Sequence, residues 1–168
     1  MEEKNNIVLI GMPGAGKSTV GVVLAKLLGY RFMDSDLLIQ EQEGRLLNEI
    51  IAQSGLDAFM EIENRVNASI AASHTVIATG GSVVYGGQAM EHLKKIGTVV
   101  YLRHDFDEIC DRVGNIRQRG IVLREGQSFE ALYEERCPLY EKYADVVVDA
   151  GGTTIEELAR KLLDILRK

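Results

Sequence analysis

Short β-type runs alternate along this chain with longer stretches in which apolar residues recur every three or four positions. Ile7 to Ile10, Arg31 to Asp34, Thr75 to Thr79, Thr98 to Leu102 and Asp145 to Val148 read as strands. After the first of them, Val20, Val23, Leu24, Leu27 and Leu28 keep helical spacing, which predicts a helix from Lys17 to Leu28 closed by Gly29. Near the other end, Ile155, Leu158, Ala159, Leu162, Leu163 and Leu166 form a second stripe. Thr154 and Glu157 in front of it read as a capping box. Strands alternating with helices are the pattern of βαβ units, and right-handed crossovers place the helices on both faces of a parallel sheet. The expectation is an α/β fold with three layers and a five-stranded parallel sheet, residues 1–168 forming one domain.

The interval of about 37–73 is longer than a simple crossover needs. Leu38, Ile39, Leu46, Ile50 and Ile51 are followed by Phe59, Ile62, Val66 and Ile70, and Ser54-Gly55 divides the stretch into separate helices. An insertion of that size over one end of the sheet is expected to close around a small substrate.

The chemistry begins directly after the first strand. Gly11-Met12-Pro13-Gly14-Ala15-Gly16-Lys17-Ser18-Thr19 fits G-x-x-x-x-G-K-[ST], with a strand in front and a helix behind. Its glycines allow successive N–H groups to converge on phosphate oxygens, and the following helix aims the positive end of its dipole at the same anion. Lys17 is expected to place a charge on the terminal phosphates, and the Ser18 hydroxyl to ligate Mg²⁺.

Other candidates stand at the carboxyl ends of strands, where open α/β sheets bind ligands. Asp34 and Asp36 follow the second strand; in extended backbone, residues two apart point the same way, so both carboxylates face one cavity. The competing use is a helix cap. Gly80-Gly81-Ser82 follows the third strand as a turn or a site of close backbone approach. The span 112–124 carries Arg112, Arg117, Arg119 and Arg124 with no acidic residue before Glu125, and is read as a lid that brings guanidinium groups over phosphates. Arg136, in front of Cys137-Pro138-Leu139-Tyr140, gains weight only from this context.

Charge and composition then exclude several classes. A net charge of −6 over 168 residues argues against non-specific nucleic-acid binding. No apolar run approaches a membrane span, and the polar start lacks the features of a signal peptide, so a cytoplasmic protein is expected. Two cysteines, Cys110 and Cys137, make no disulfide framework. His74, His92 and His104 are scattered and read as surface or loop residues.

In this order the pieces resemble the shikimate kinase family, a branch of the nucleoside monophosphate kinase-like P-loop NTPase folds. The resemblance rests on residues 11–19, D-S-D at 34–36, T-G-G at 79–81, the arginine-bearing lid, and E-R-C-P-L-Y at 135–140. It implies an ATP- and Mg²⁺-dependent transfer to the 3-hydroxyl of shikimate, with a small molecule as the binding partner and a monomeric protein. Gly14, Ala15, Gly16, Lys17, Ser18 and Thr19 match the nucleotide residues, and Ser18 and Asp34 those that serve the metal. Asp36 matches the carboxylate that holds the acceptor hydroxyls and takes the proton. Gly80, Gly81 and Arg136 match acceptor-binding residues, Arg119 a lid arginine at the phosphates, and Arg112 the arginine on the adenine ring.

Three positions depart from the family pattern. Phe59-Met60-Glu61-Ile62-Glu63 stands where F-R-x-x-E is usual, so Met60 replaces an arginine that clamps the acceptor carboxylate. Ser82 replaces a common third glycine, and Arg119-Gly120-Ile121 replaces Arg-Pro-Leu. The alternatives are therefore a paralogue acting on a different small hydroxyl compound, or a nucleotide-binding protein without transfer. Arg65 lies five residues from Met60 on a helix and faces away from it, which makes it a poor substitute.

Overall fold

The computed structural model describes residues 4–114, 121 and 123–168. Its five strands are β1 (Asn6–Ile10), β2 (Arg31–Asp34), β3 (Thr75–Ala78), β4 (Gly97–Arg103) and β5 (Val146–Asp149). They form one parallel sheet in the order β2-β3-β1-β4-β5. The helices are α1 (Lys17–Leu28), α2 (Ser35–Glu43), α3 (Leu47–Ser54), α4 (Leu56–Ala68), α5 (Gly87–Ile96), α6 (Phe106–Val113), α7 (Phe129–Tyr143) and α8 (Ile155–Leu166). The expected fold class is the observed one.

Central β1 pairs with β3 through Ile7 and Val76 and with β4 through Ile7 and Thr98. Covered on both faces, all five of its residues are buried; Ile7 to Ile10 read as an uninterrupted apolar run for that reason. Buried Asn6 is satisfied by donating to Ile96 O and accepting from Thr75 N. Each of Val8, Leu9 and Ile10 contributes about 1.5–3 kcal/mol by leaving water. α1 packs against α8 on one side of the sheet. The α8 capping box is present: Thr154 Oγ1 accepts from Glu157 N, and Glu157 Oε2 from Thr154 N.

The interval between β2 and β3 holds three helices. The sequence marks the break at Gly55; the other break, at Gly44, closes α2 in a left-handed conformation and is absent from the apolar spacing. These helices enclose a second, smaller core of Ile39, Ile50, Phe59 and Val66 beside the main one. Parallel pairing brings the carboxyl ends of all five strands to one edge, and the chain reverses its lateral progress around β1, so the phosphate loop sits at the switch point.

Candidate active site

Lys17 organises the donor side. Gly14 and Gly16 have φ values of 84° and 86°, a region that side chains disfavour. Gly16 caps α1 with no side-chain hydrogen bond, so the first-turn N–H groups have no side-chain acceptor. Lys17 is buried, and its Nζ donates to Gly11 O at 2.6 Å and Met12 O at 2.9 Å. Burial pushes this ammonium down to about 8, against the raising influence of Asp36, while Arg136 adds to the depression.

The two aspartates do not point alike. Asp34 ends β2 and is also the cap of α2: its Oδ1 accepts from Asp36 N at 2.9 Å and Leu37 N at 3.3 Å. Its Oδ2 accepts from Ser18 Oγ at 2.7 Å. The capping and functional readings are thus both met, by different oxygens of one carboxylate. Asp36 lies in the first turn of α2, so the extended-backbone argument for a shared orientation fails; the helix, not the strand, aims it into the cavity. Asp36 Oδ1 is shielded from water and has no hydrogen-bond partner among the described residues. Burial, reinforced by Asp34 and opposed by Lys17, raises its carboxyl to about 6.

The glycine pair is both a turn, in which Val83 N donates to Gly80 O at 3.2 Å, and a place of close approach. Neither Gly80 nor Gly81 has a positive φ. A Cβ on Gly80 would stand 2.6 Å from Asp36 Oδ1 and 2.9 Å from Glu63 Oε2; one on Gly81 would stand 2.8 Å from Pro13 and 2.9 Å from Arg136 Nη1. Arg136 is buried on α7, its guanidinium 5.5 Å from the Tyr85 ring centre. Tyr140, one turn on, donates to Gly81 O at 2.5 Å and stacks on Tyr101.

Glu63 is the residue that sequence reasoning used only as a motif letter. It is 2% exposed, lines the cavity, and accepts from Ser82 Oγ at 2.6 Å through Oε1. The available signal was its spacing: four after Phe59 and three before Val66, a carboxylate in an apolar stripe. Burial lifts it to about 7, although the Ser82 hydroxyl opposes this.

That shift predicts a stability effect. Between about pH 4.5 and 7 the folded protein keeps a proton on Glu63 that the unfolded chain releases, so the contribution is complete at low pH and lost as pH rises through 7. The loss is about 3 kcal/mol. Urea unfolding at pH 5 and pH 8 should show Glu63→Gln gaining on the wild type by roughly that amount at the higher pH. Parallel pH dependences for the two proteins would refute it.

Gly14, Gly16, Lys17, Ser18, Thr19, Asp36, Gly80, Gly81 and Arg136 all line one cavity of about 330 Å³, together with Glu63 and Ser82. Ala15 is buried behind the loop and Asp34 reaches it through Ser18. Arg112 belongs to α6, not to a loop, and lies against Gly14 and Gly16. Arg117, Arg119 and most of the expected lid fall outside the described residues; Ile121 lines the cavity. Met60 packs on the small core of Ile39, Ile50, Phe59 and Val66. Arg65 and Arg45 both pair with Glu43, at 3.0 and 3.6 Å, and neither lines the cavity. Cys110 and Cys137 are free thiols. His104 is in a loop, between β4 and α6, but a buried one: it is 4% exposed and bonded to the phosphate loop. His92 is half-buried, its Nε2 donating to Ile70 O.

The sheet, the phosphate-loop motif and the cavity lined by Lys17, Asp36, Glu63 and Arg136 together define a P-loop kinase of the nucleoside monophosphate kinase-like type. The family model described as shikimate kinase matches residues 13–167. A shikimate kinase of Thiobacillus denitrificans is 37% identical over 99% of this chain and 94% of its own, and one of Thermodesulfovibrio yellowstonii 38% identical over 94% and 92%. Among solved structures, shikimate kinase from Acinetobacter baumannii in complex with shikimate superposes with a TM-score of 0.88 at 33% identity, covering 99% of this chain and 94% of that one. The chain belongs to the shikimate kinase family, and it is an ATP-dependent kinase acting on a hydroxyl group.

Proposed function

We propose that the protein transfers the γ-phosphoryl group of ATP to the 3-hydroxyl of shikimate, as one kinase domain. The observation that carries this is the meeting of Lys17, Asp36, Glu63 and Arg136 around one cavity, in a chain that superposes on a relative solved with shikimate. Gly14 to Thr19 cradle the phosphates, with Arg119 added from the lid and Arg112 placed at the base. Arg136 pairs with the acceptor carboxylate, and the N–H groups of Gly80 and Gly81 lie where backbone approaches the acceptor. The Asp36 carboxylate accepts the hydroxyl proton as the new O–P bond forms and the bond to the β-phosphate oxygen breaks.

Ser18 Oγ and Asp34 Oδ2, 2.7 Å apart, offer the hard oxygen donors that suit Mg²⁺. Ser18 and Asp34 would hold the ion there, and it would offset the charge of the phosphates. Positioning and charge neutralisation are nearly all this transfer requires. On this reading the protein works as a cytoplasmic monomer without nucleic-acid or membrane partners, in keeping with its net charge of −6. Among the described residues, no helix is long and apolar enough to cross a membrane.

Met60 favours a second reading, a different small hydroxyl compound as acceptor. Its side chain packs on an apolar core and offers an anion no hydrogen bond. Coupled ADP release with shikimate and with a panel of polyols, hydroxy acids and amino alcohols separates the two. For a shikimate kinase, Met60→Arg should lower the KM for shikimate by roughly tenfold or more. If that variant changes nothing and another compound turns over faster, shikimate is not the acceptor. ATP binding without transfer to any compound would support a non-catalytic protein instead.

A further inference from the structure

His104 follows β4 directly, and its side chain is wholly out of solvent behind the phosphate loop. Its Nε2 donates to Ala15 O at 3.0 Å; a carbonyl can only accept, so this nitrogen carries a proton. On the other side of the ring, Nδ1 lies 3.4 Å from Glu108 Oε1. The same carboxylate oxygen accepts from Arg112 Nη2 at 3.3 Å. Arg112 in turn lies along the loop: a Cβ on Gly16 would be 3.8 Å from its Nη1, and one on Gly14 would be 3.4 Å from its Cβ. The backbone of His104 is pinned from α7, where Tyr133 OH donates to His104 O at 2.7 Å.

The Ala15–Gly16 peptide gives this chain of contacts its meaning. In a trans peptide the carbonyl and the N–H point in opposite directions. An imidazole that holds Ala15 O behind the loop therefore turns Gly16 N–H to the other side, toward the cavity that Gly16 lines. Inversion of that peptide would replace a donor by a carbonyl oxygen aimed at phosphate. Glycine at position 16 leaves the backbone itself little resistance to such a change.

We propose that His104 is a positioning residue for the nucleotide: it locks the Ala15–Gly16 peptide with its N–H toward the phosphates. The proposal rests on the reading of Gly14 to Thr19 as the ATP phosphate cradle. His104 itself contacts only the back of the loop, so its effect falls on nucleotide affinity and not on the acceptor.

Calorimetric titration of ATP, with kcat and both KM values, tests it on wild type, His104→Leu, His104→Gln and Glu108→Gln. Leucine fills the space but donates nothing, and should weaken ATP binding roughly tenfold or more while the acceptor KM stays put. Glutamine, whose amide nitrogen can reach Ala15 O, should restore most of the affinity. Glu108→Gln, which loosens Arg112 but leaves the imidazole on Ala15 O, should change ATP affinity independently and add to the effect of His104→Leu. A folded His104→Leu protein with wild-type ATP affinity overturns the peptide lock. If that variant does not fold, His104→Asn, whose shorter amide falls short of Ala15 O, takes its place, and wild-type ATP affinity in it overturns the lock. A wild-type protein that binds no ATP would refute the nucleotide reading itself, before any variant is compared.

Discussion

Lys17→Met lowers kcat by about three orders of magnitude while removing a pH dependence from the protein's stability. The first effect follows from the chemistry: a cation fixed at the transferring group stabilises charge in the transition state, and comparable single cations are worth about 10³ or more in rate. The second follows from burial. The ammonium sits near 8 in the folded protein and at 10.5 in the unfolded chain, so between those values the unfolded chain binds more protons. Stability therefore rises with pH across that window, and below pH 8 the charged form opposes folding by about 3 kcal/mol. Methionine removes this dependence, although Gly11 O and Met12 O lose their donor, at about 1–3 kcal/mol for an acceptor left unpaired. Coupled ADP release and urea unfolding at pH 7.5 and 10 measure both effects. Retention of more than a tenth of the activity, or a variant whose stability still climbs with pH as the wild type's does, would count against the role given to Lys17.

This cost shows why the phosphate loop was legible in the sequence and its surroundings were not. A Gly-rich loop between a buried strand and a helix leaves a fixed spacing, and the capping box before α8 is equally local; both can be read from neighbours in the chain. The same holds for Ile7 to Ile10 of β1, apolar throughout because the strand is buried on both faces. Glu63, Arg136 and Ser82 meet across long loops, and only the sheet order brings them together. Asp36 was found for an incomplete reason, since α2 begins one residue before it and aims its carboxylate. His104 left no local signal at all: its partner, Ala15 O, is 89 positions earlier in the chain. The family pattern flagged both Met60 and Ser82 as departures, but only the structure separates them. Met60 joins an apolar core, while Ser82 supplies a hydrogen bond to a buried carboxylate of the acceptor pocket.

Asp36→Asn lowers kcat/KM for the acceptor by about two to four orders of magnitude, the range for a positioned general base. The wild-type profile should rise with pH toward about 6 and level off above it, because only the ionised carboxylate can take the hydroxyl proton. This limb belongs to Asp36 and not to Glu63, the other carboxylate facing Gly80, if Glu63→Gln leaves it near 6 and Asp36→Asn abolishes it. The two carboxylates differ in a way that supports this assignment. Glu63 is engaged by the Ser82 hydroxyl, whereas Asp36 lines the cavity with a carboxylate whose Oδ1 is packed against Gly80 and has no partner among the described residues. An unperturbed acid limb in Asp36→Asn, with a rate within tenfold of the wild type, would move proton acceptance to the phosphoryl oxygens and leave Asp36 only the task of holding the acceptor in line.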